Sequence, residues 1–198
     1  EQIPSNLTAE QILIRSGNIG SVRIAQKVGQ ESFKKFLNNL NLLDTLDFDI
    51  EEIGTPLKIN WGKCKLVTSA YGHGVTTTPI QLAKGYAIIS NGGYDIKPTL
   101  ILDNKKRNII YQQIIPEDIS KKINLALRKI VTTKEGTANF ANINGYEIGG
   151  KTGTAQKSIS GSYSNKKINT FVSVFPSSKP KYVLAVMLDE PKGSKDYI

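Results

Sequence analysis

Two apolar extended runs, NTFVSVF (169–175) and YVLAVMLDE (182–190), are joined by only PSSKPK. Six residues with two prolines cannot hold a crossover helix, so the two runs must pair antiparallel. A third extended run, EIGGKTGTAQ (147–156), lies just upstream. This fixes the last third of the chain as an antiparallel sheet.

The preceding residues carry helical signals instead. Thr8-Ala9-Glu10-Gln11 has the capping-box pattern and opens a short helix that stops near Ser16-Gly17. Ile19, Val22, Ala25 and Gln26 predict a second helix, and Phe33, Phe36, Leu37 and Leu40 a third, amphipathic one. Residues 41–61 have no clean period and read as loop. Residues 63–70 read as a further helix. Thr78-Pro79 then caps a helix with Ile80, Ala83, Tyr86 and Ala87 on one face. TLILDNKKRNIIYQQ predicts a hairpin turning at residues 103–106. Pro116 opens the longest helix, with Ile119, Ile123, Leu127, Ile130 and Val131 on its buried side, ending before Gly136. The expected architecture is α+β: a mainly helical lobe with a small hairpin over residues 1–135, then a sheet over 136–198.

Composition narrows the chemistry. The net charge of +9 favours anionic partners, but the basic residues are scattered without interleaved aromatics, so nucleic acid is not an expected partner. The single cysteine, Cys64, excludes an intrachain disulfide and a thiolate metal cluster. The single histidine, His73, has no carboxylate near it in sequence and reads as a locally bonded loop residue. No metal or other cofactor is expected. No apolar run is long enough to span a bilayer.

The stretch GYEIGGKTGTAQ (145–156) carries the sharpest motif, and it is ambiguous. Gly145, Gly150, Lys151 and Thr152 satisfy the nucleotide-binding P-loop, and Asp189 mimics a Walker B carboxylate. Lys151-Thr152-Gly153 is equally the K-T-G of serine acyl-transfer enzymes. A P-loop needs an apolar strand before Gly145 and a helix at Lys151-Thr152, with its N-terminus facing the phosphates. NFANIN is not apolar, and GTAQKSISGSYSN has no helical face. The K-T-G reading gains a second element in Ser16-Gly17-Asn18, an S-x-N between two predicted helices.

With both motifs in place, SGNIGSVRIAQKVG, YGHGVTTTPIQLAKGYAIISNGG, GGKTGTAQK and NTFVSVFPSSKPKYVLAVMLDEPKG resemble the transpeptidase domain of class B penicillin-binding proteins, most of all the septal members. The resemblance implies part of a penicillin-binding protein/β-lactamase-like fold and a peptidoglycan D,D-transpeptidase. It makes Ser16, Asn18 and Lys151 catalytic and Thr152, Gly153 and Thr154 substrate-binding. Lys151, Thr152 and Thr154 would hold the terminal carboxylate of a D-Ala-D-Ala stem peptide, with the Thr154 N–H as an oxyanion donor. Ser16 would relay a proton to the leaving amine, and Asn18 would hold the substrate amide. Gly136-Thr137 resembles the stretch closing the far side of the site.

One element of the family is missing. The nucleophile motif S-x-x-K precedes S-x-N in the family, whereas the matches here, Ser32–Lys35, Ser164–Lys167 and Ser178–Lys181, all follow it. The last two are expected in polar loops beside the sheet. The chain therefore reads as the C-terminal part of such a domain, inactive alone and with apolar sheet surface exposed. The resemblance further implies a parent anchored in the bacterial cytoplasmic membrane with this domain on its outer side, divisome membrane proteins as partners, and β-lactams as ligands. An elongation-type paralogue and a non-catalytic sensor or scaffold remain as alternatives.

Overall fold

The structure, a computed structural model, describes residues 4, 6–62, 64–102, 111–159 and 162–192. Among the described residues six α-helices come first: α1 (Ala9–Ile14), α2 (Asn18–Val28), α3 (Gln30–Asn39), α4 (Lys65–Ala70), α5 (Pro79–Ser90) and α6 (Glu117–Thr132). Three strands follow: β1 (Gly149–Ile159), β2 (Ser162–Phe175) and β3 (Tyr182–Asp189). They form one antiparallel sheet in the order β1-β2-β3. The α+β architecture and the antiparallel pairing across 176–181 match the expectation from the sequence.

Two helix starts are set by side chains. Thr8 Oγ1 accepts from Gln11 N at 3.2 Å while Gln11 Oε1 accepts from Thr8 N at 2.9 Å, closing a capping box on α1. Thr78 and Gln81 do the same at α5, with Pro79 at its first turn. Helix α6 packs against β1 and α1, and α5 against β2 and β3. The core gathers Ile14, Leu127, Ile130, Val131, Ala138 and Val174, of which Ile130, Val131 and Val174 are fully buried. Each such aliphatic contributes about 1.5–3 kcal/mol of burial.

Two expected helix faces need correcting, for one physical reason. On α6, Leu127, Ile130 and Val131 are buried as predicted, but Ile119 is 39% exposed and Ser120 and Asn124 take its place. They sit beneath the end of α5, whose last carbonyls have no intrahelical partner. Ser120 Oγ donates to Ile89 O at 2.7 Å, and Asn124 Nδ2 to Ser90 O at 2.9 Å. On α5, Ile80, Ala83, Tyr86 and Ala87 are only half-buried, while Gln81 and Lys84 are buried. Gln81 Nε2 donates to Asn41 O at 2.8 Å and Asp44 O at 2.7 Å, so the amide fastens the 41–44 loop. A helix enclosed on several sides buries polar groups wherever a neighbouring backbone needs partners.

The hairpin expectation also changes. Its turn lies outside the described residues, and residues 99–102 hold no strand. The arm at 112–114 pairs further back instead: Asp95 N donates to Gln112 O at 2.8 Å and Ile114 N to Gly93 O at 2.7 Å. Gly93 permits this, because a Cβ there would lie 2.0 Å from Ile115 O. Along β3, Tyr182, Leu184, Val186, Met187 and Leu188 are exposed, so apolar surface lies open at that edge of the sheet.

Candidate active site

Lys151 stands in β1, with a strand before and after it and no helix start. That ends the P-loop reading. Lys151 pairs with Val172 and Thr152 with Phe171, so by strand alternation Lys151 and Thr152 leave opposite faces of the sheet. The glycines around them are used differently. A Cβ at Gly149 would lie 3.1 Å from Arg128 N, and one at Gly150 would lie 2.7 Å from the Phe171 ring, so these two let α6 and Phe171 close on the strand. Gly153 faces open space, with nothing within 4 Å of its virtual Cβ. Of the three, only Gly153 leaves room for a ligand to approach the backbone.

The other wall comes from the turn between α1 and α2. Ser16 N donates to Leu13 O at 3.2 Å and Gly17 N to Ile12 O at 2.9 Å, the paired bonds of a Schellman ending. Ser16 therefore holds the left-handed position usually given to glycine, at φ 56°. Gly17 is at once the cap of α2, and Asn18 is the first residue of that helix. Gly20 lets α2 close onto α1, since a Cβ there would come within 2.7 Å of the Ile12 side chain. A serine kept where glycine costs less points to a use for its hydroxyl.

That hydroxyl meets the lysine. Lys151 Nζ donates to Ser16 Oγ at 2.7 Å and to Thr152 O at 2.7 Å. Burial alone lowers the Lys151 pKa to about 8, with no carboxylate contributing to the shift. On the far side, Thr152 Oγ1 lies 2.8 Å from Thr137 Oγ1. Ser16, Asn18, Lys151, Thr152, Gly153 and Thr154 all line one cleft of about 700 Å³. The arrangement is a cation held by neutral oxygens in a cleft that Thr152, Gly153 and Thr154 also line. Such a site suits a carboxylate.

Two neighbours were not assigned to the site from sequence, although His73 was read there as a locally bonded loop residue. Tyr71 and His73 line the same cleft, with ring centroids 5.1 Å apart, and His73 N donates to Thr68 O at 3.0 Å. The left-handed glycines on either side of His73, at φ 88° and 74°, turn this loop; in the sequence they appear only as the G-H-G spacing. None of the three S-x-x-K serines lines the cleft. Ser32 and Lys35 lie in α3, while Ser164 and Lys167 lie within β2 and not in the polar loop expected for them.

Comparison with known proteins gives this geometry a family. A family model described as the penicillin binding protein transpeptidase domain matches residues 1–197. The chain is 33% identical over 199 residues to stage V sporulation protein D of Bacillus subtilis, covering 93% of this chain and 30% of that protein. It is 34% identical over 200 residues to the peptidoglycan D,D-transpeptidase FtsI of Buchnera aphidicola, covering 96% and 34%. The chain thus spans about a third of the length of these curated relatives. Among solved structures, the apo transpeptidase domain of penicillin-binding protein 3 from Burkholderia pseudomallei superimposes with a TM-score of 0.87 at 27% identity, over 93% of this chain and 57% of that one. The chain belongs to the penicillin-binding protein transpeptidase domain family.

Proposed function

We propose that the parent of this chain is a serine-type peptidoglycan D,D-transpeptidase working at the septum, and that the chain is the C-terminal part of its catalytic domain, a helical lobe to residue 135 and a sheet from 136. The observation that carries this is the 2.7 Å bond from Lys151 Nζ to Ser16 Oγ across the cleft. The Lys151 ammonium, with the Thr152 and Thr154 hydroxyls, holds the terminal carboxylate of a D-Ala-D-Ala stem peptide. The donor peptide lies along the open edge of β1 at Gly153 as an added strand. The attacking serine belongs to another part of the parent, since no S-x-x-K serine of this chain reaches the cleft.

In the reaction the serine oxygen bonds to the penultimate D-Ala carbonyl carbon and the amide C–N bond breaks. The Thr154 N–H donates to the oxyanion, and the Asn18 amide holds the substrate's backbone. Ser16, hydrogen-bonded to Lys151, relays the attacking serine's proton to the leaving D-Ala amine. A neighbouring stem's amine then attacks the ester carbon, the C–O bond breaks, and the amine's proton passes to the serine oxygen, which frees the serine and leaves the cross-link. β-Lactams enter the same cleft as carboxylate-bearing acyl donors.

The parent is anchored in the cytoplasmic membrane with this domain on its outer side, and meets other membrane proteins of the division machinery there. Among the described residues no helix is long and apolar enough to cross a membrane. Covalent capture of a labelled penicillin by the full-length parent tests the enzyme reading. A parent that takes no label, or whose gene has no S-x-x-K upstream, is a sensor or scaffold instead. Depletion in growing cells tests the septal role: filaments support it, round cells assign the parent to elongation.

A further inference from the structure

We propose that Thr137 is a positioning residue for the carboxylate site: its hydroxyl sets the direction in which Thr152 presents its proton. This rests on the transpeptidase reading of the cleft. The two hydroxyl oxygens are 2.8 Å apart, and a hydrogen bond at that distance has one donor. If Thr152 donates to Thr137, its only proton is spent. If Thr137 donates to Thr152, the Thr152 proton is free for an anion in the cleft, and the bond it receives polarises it further. A bound carboxylate selects the second arrangement.

Thr137 is held firmly enough for this task. Gly136 crosses the end of α6 so closely that a Cβ would lie 2.0 Å from Ile130 O. Gly136 N donates to Thr133 O at 3.0 Å and Ala138 N to Ile130 O at 3.2 Å, while the Ala138 side chain is buried in the core. Asn139 Nδ2 completes the fastening by donating to Val131 O at 3.1 Å and Thr133 O at 2.7 Å. The segment 136–139 is thus tied to the free carbonyls of α6, and Thr137 projects from it to β1. A hydroxyl on a fixed mount orients its partner at little entropic cost.

The test uses the full-length parent with a carboxylate-bearing β-lactam and its methyl ester, reading the dissociation constant before acylation separately from the acylation rate. Thr137→Val should weaken binding of the acid about 5- to 10-fold, as for a lost bond to a charged group's donor, and leave the ester and the acylation rate within about twofold. Thr137→Ser should restore acid binding. In the double variant Thr137→Val/Thr152→Val the loss should be no greater than in Thr152→Val alone. Equal losses for acid and ester, no rescue by serine, or multiplying losses in the double variant each overturn the proposal. Should Thr137→Val not fold, Thr137→Ala is read by the same criteria. A wild-type parent that takes neither compound removes the transpeptidase reading and this inference with it. A wild-type parent that acylates normally beside an unchanged Thr137→Val removes this inference alone.

Discussion

The two ends of β1 each carry a lysine, and the strand treats them in opposite ways. Lys157 lies 2.7 Å from an Asp189 carboxylate oxygen and 2.9 Å from one of Glu190, and both acids hold its pKa above the ordinary lysine value. Lys151, six residues earlier, has a serine hydroxyl and a backbone carbonyl as its partners, and burial takes its pKa down to about 8. One cation is neutralised by its own chain. The other is desolvated and left with only neutral oxygens around it, which costs stability and leaves it ready for an anion from outside. The same residue type on the same strand is structural at one end and receptive at the other.

The sharpest way to break this contrast is to remove each lysine in turn. In the full-length parent, Lys151→Ala should lower the rate constant of penicillin acylation by about 100-fold or more, whereas Lys157→Ala should stay within about twofold. Equal losses would mean that both lysines act only through the fold. Ser16→Gly comes next. It should cost about tenfold or more in the same assay while raising stability by about 1 kcal/mol, because glycine takes φ 56° without the Cβ penalty. A variant that loses both activity and stability would show that Ser16 is only a helix ending.

The pH dependence sharpens the comparison further. Lys151 is charged in both folded and unfolded chains below about pH 8, so the full burial cost is present there. Between about 8 and its ordinary value of 10.5 the unfolded chain binds more protons, so stability attributable to Lys151 rises with pH across that window. Lys151→Met should therefore be more thermostable than wild type at pH 7, with the gap closing by about pH 10.5. Carboxylate affinity should move the other way, falling as pH rises through about 8. For Lys157, whose pKa is raised, the stabilising pairing is present at neutral pH and lost only above the ordinary lysine range. The smallest expected effect is the thermal shift of Lys157→Ala, under about 3 °C and reduced by salt, because its acids are exposed.

How much of this was readable in the sequence depended on whether the signal was local. The capping box at Thr8 and the cap at Thr78 are local patterns, and both appear where the sequence puts them, the second closing further into a box with Gln81. The antiparallel turn at 176–181 follows from chain length and proline content. The polar faces of α5 and α6 were not readable: Gln81, Ser120 and Asn124 are buried because distant carbonyls need donors, and only the assembled fold brings those carbonyls close. The site divides along the same line. Lys151-Thr152-Gly153 and Ser16-Gly17-Asn18 could be named from spacing, but the left-handed φ of Ser16 and the hydroxyl pair of Thr137 and Thr152 are tertiary facts. Spacing alone does not tell the glycines beside Lys151 apart: Gly149 and Gly150 make room for α6 and Phe171, and Gly153 faces open space.

The bond between Ser16 and Lys151 joins residues 135 positions apart. At about 5–20 residues per second, a ribosome makes the lysine on the order of ten seconds after the serine. For that interval the nascent helices can pack, but the cleft has one wall and no cation. Its affinity for anions therefore arrives late, when β1 pairs with β2 and closes onto α1. A chain halted before residue 151 carries the whole of α1 to α6, with Ser16 and Asn18, but not the cation, so carboxylate binding reports that synthesis has passed β1 and that the strand has docked.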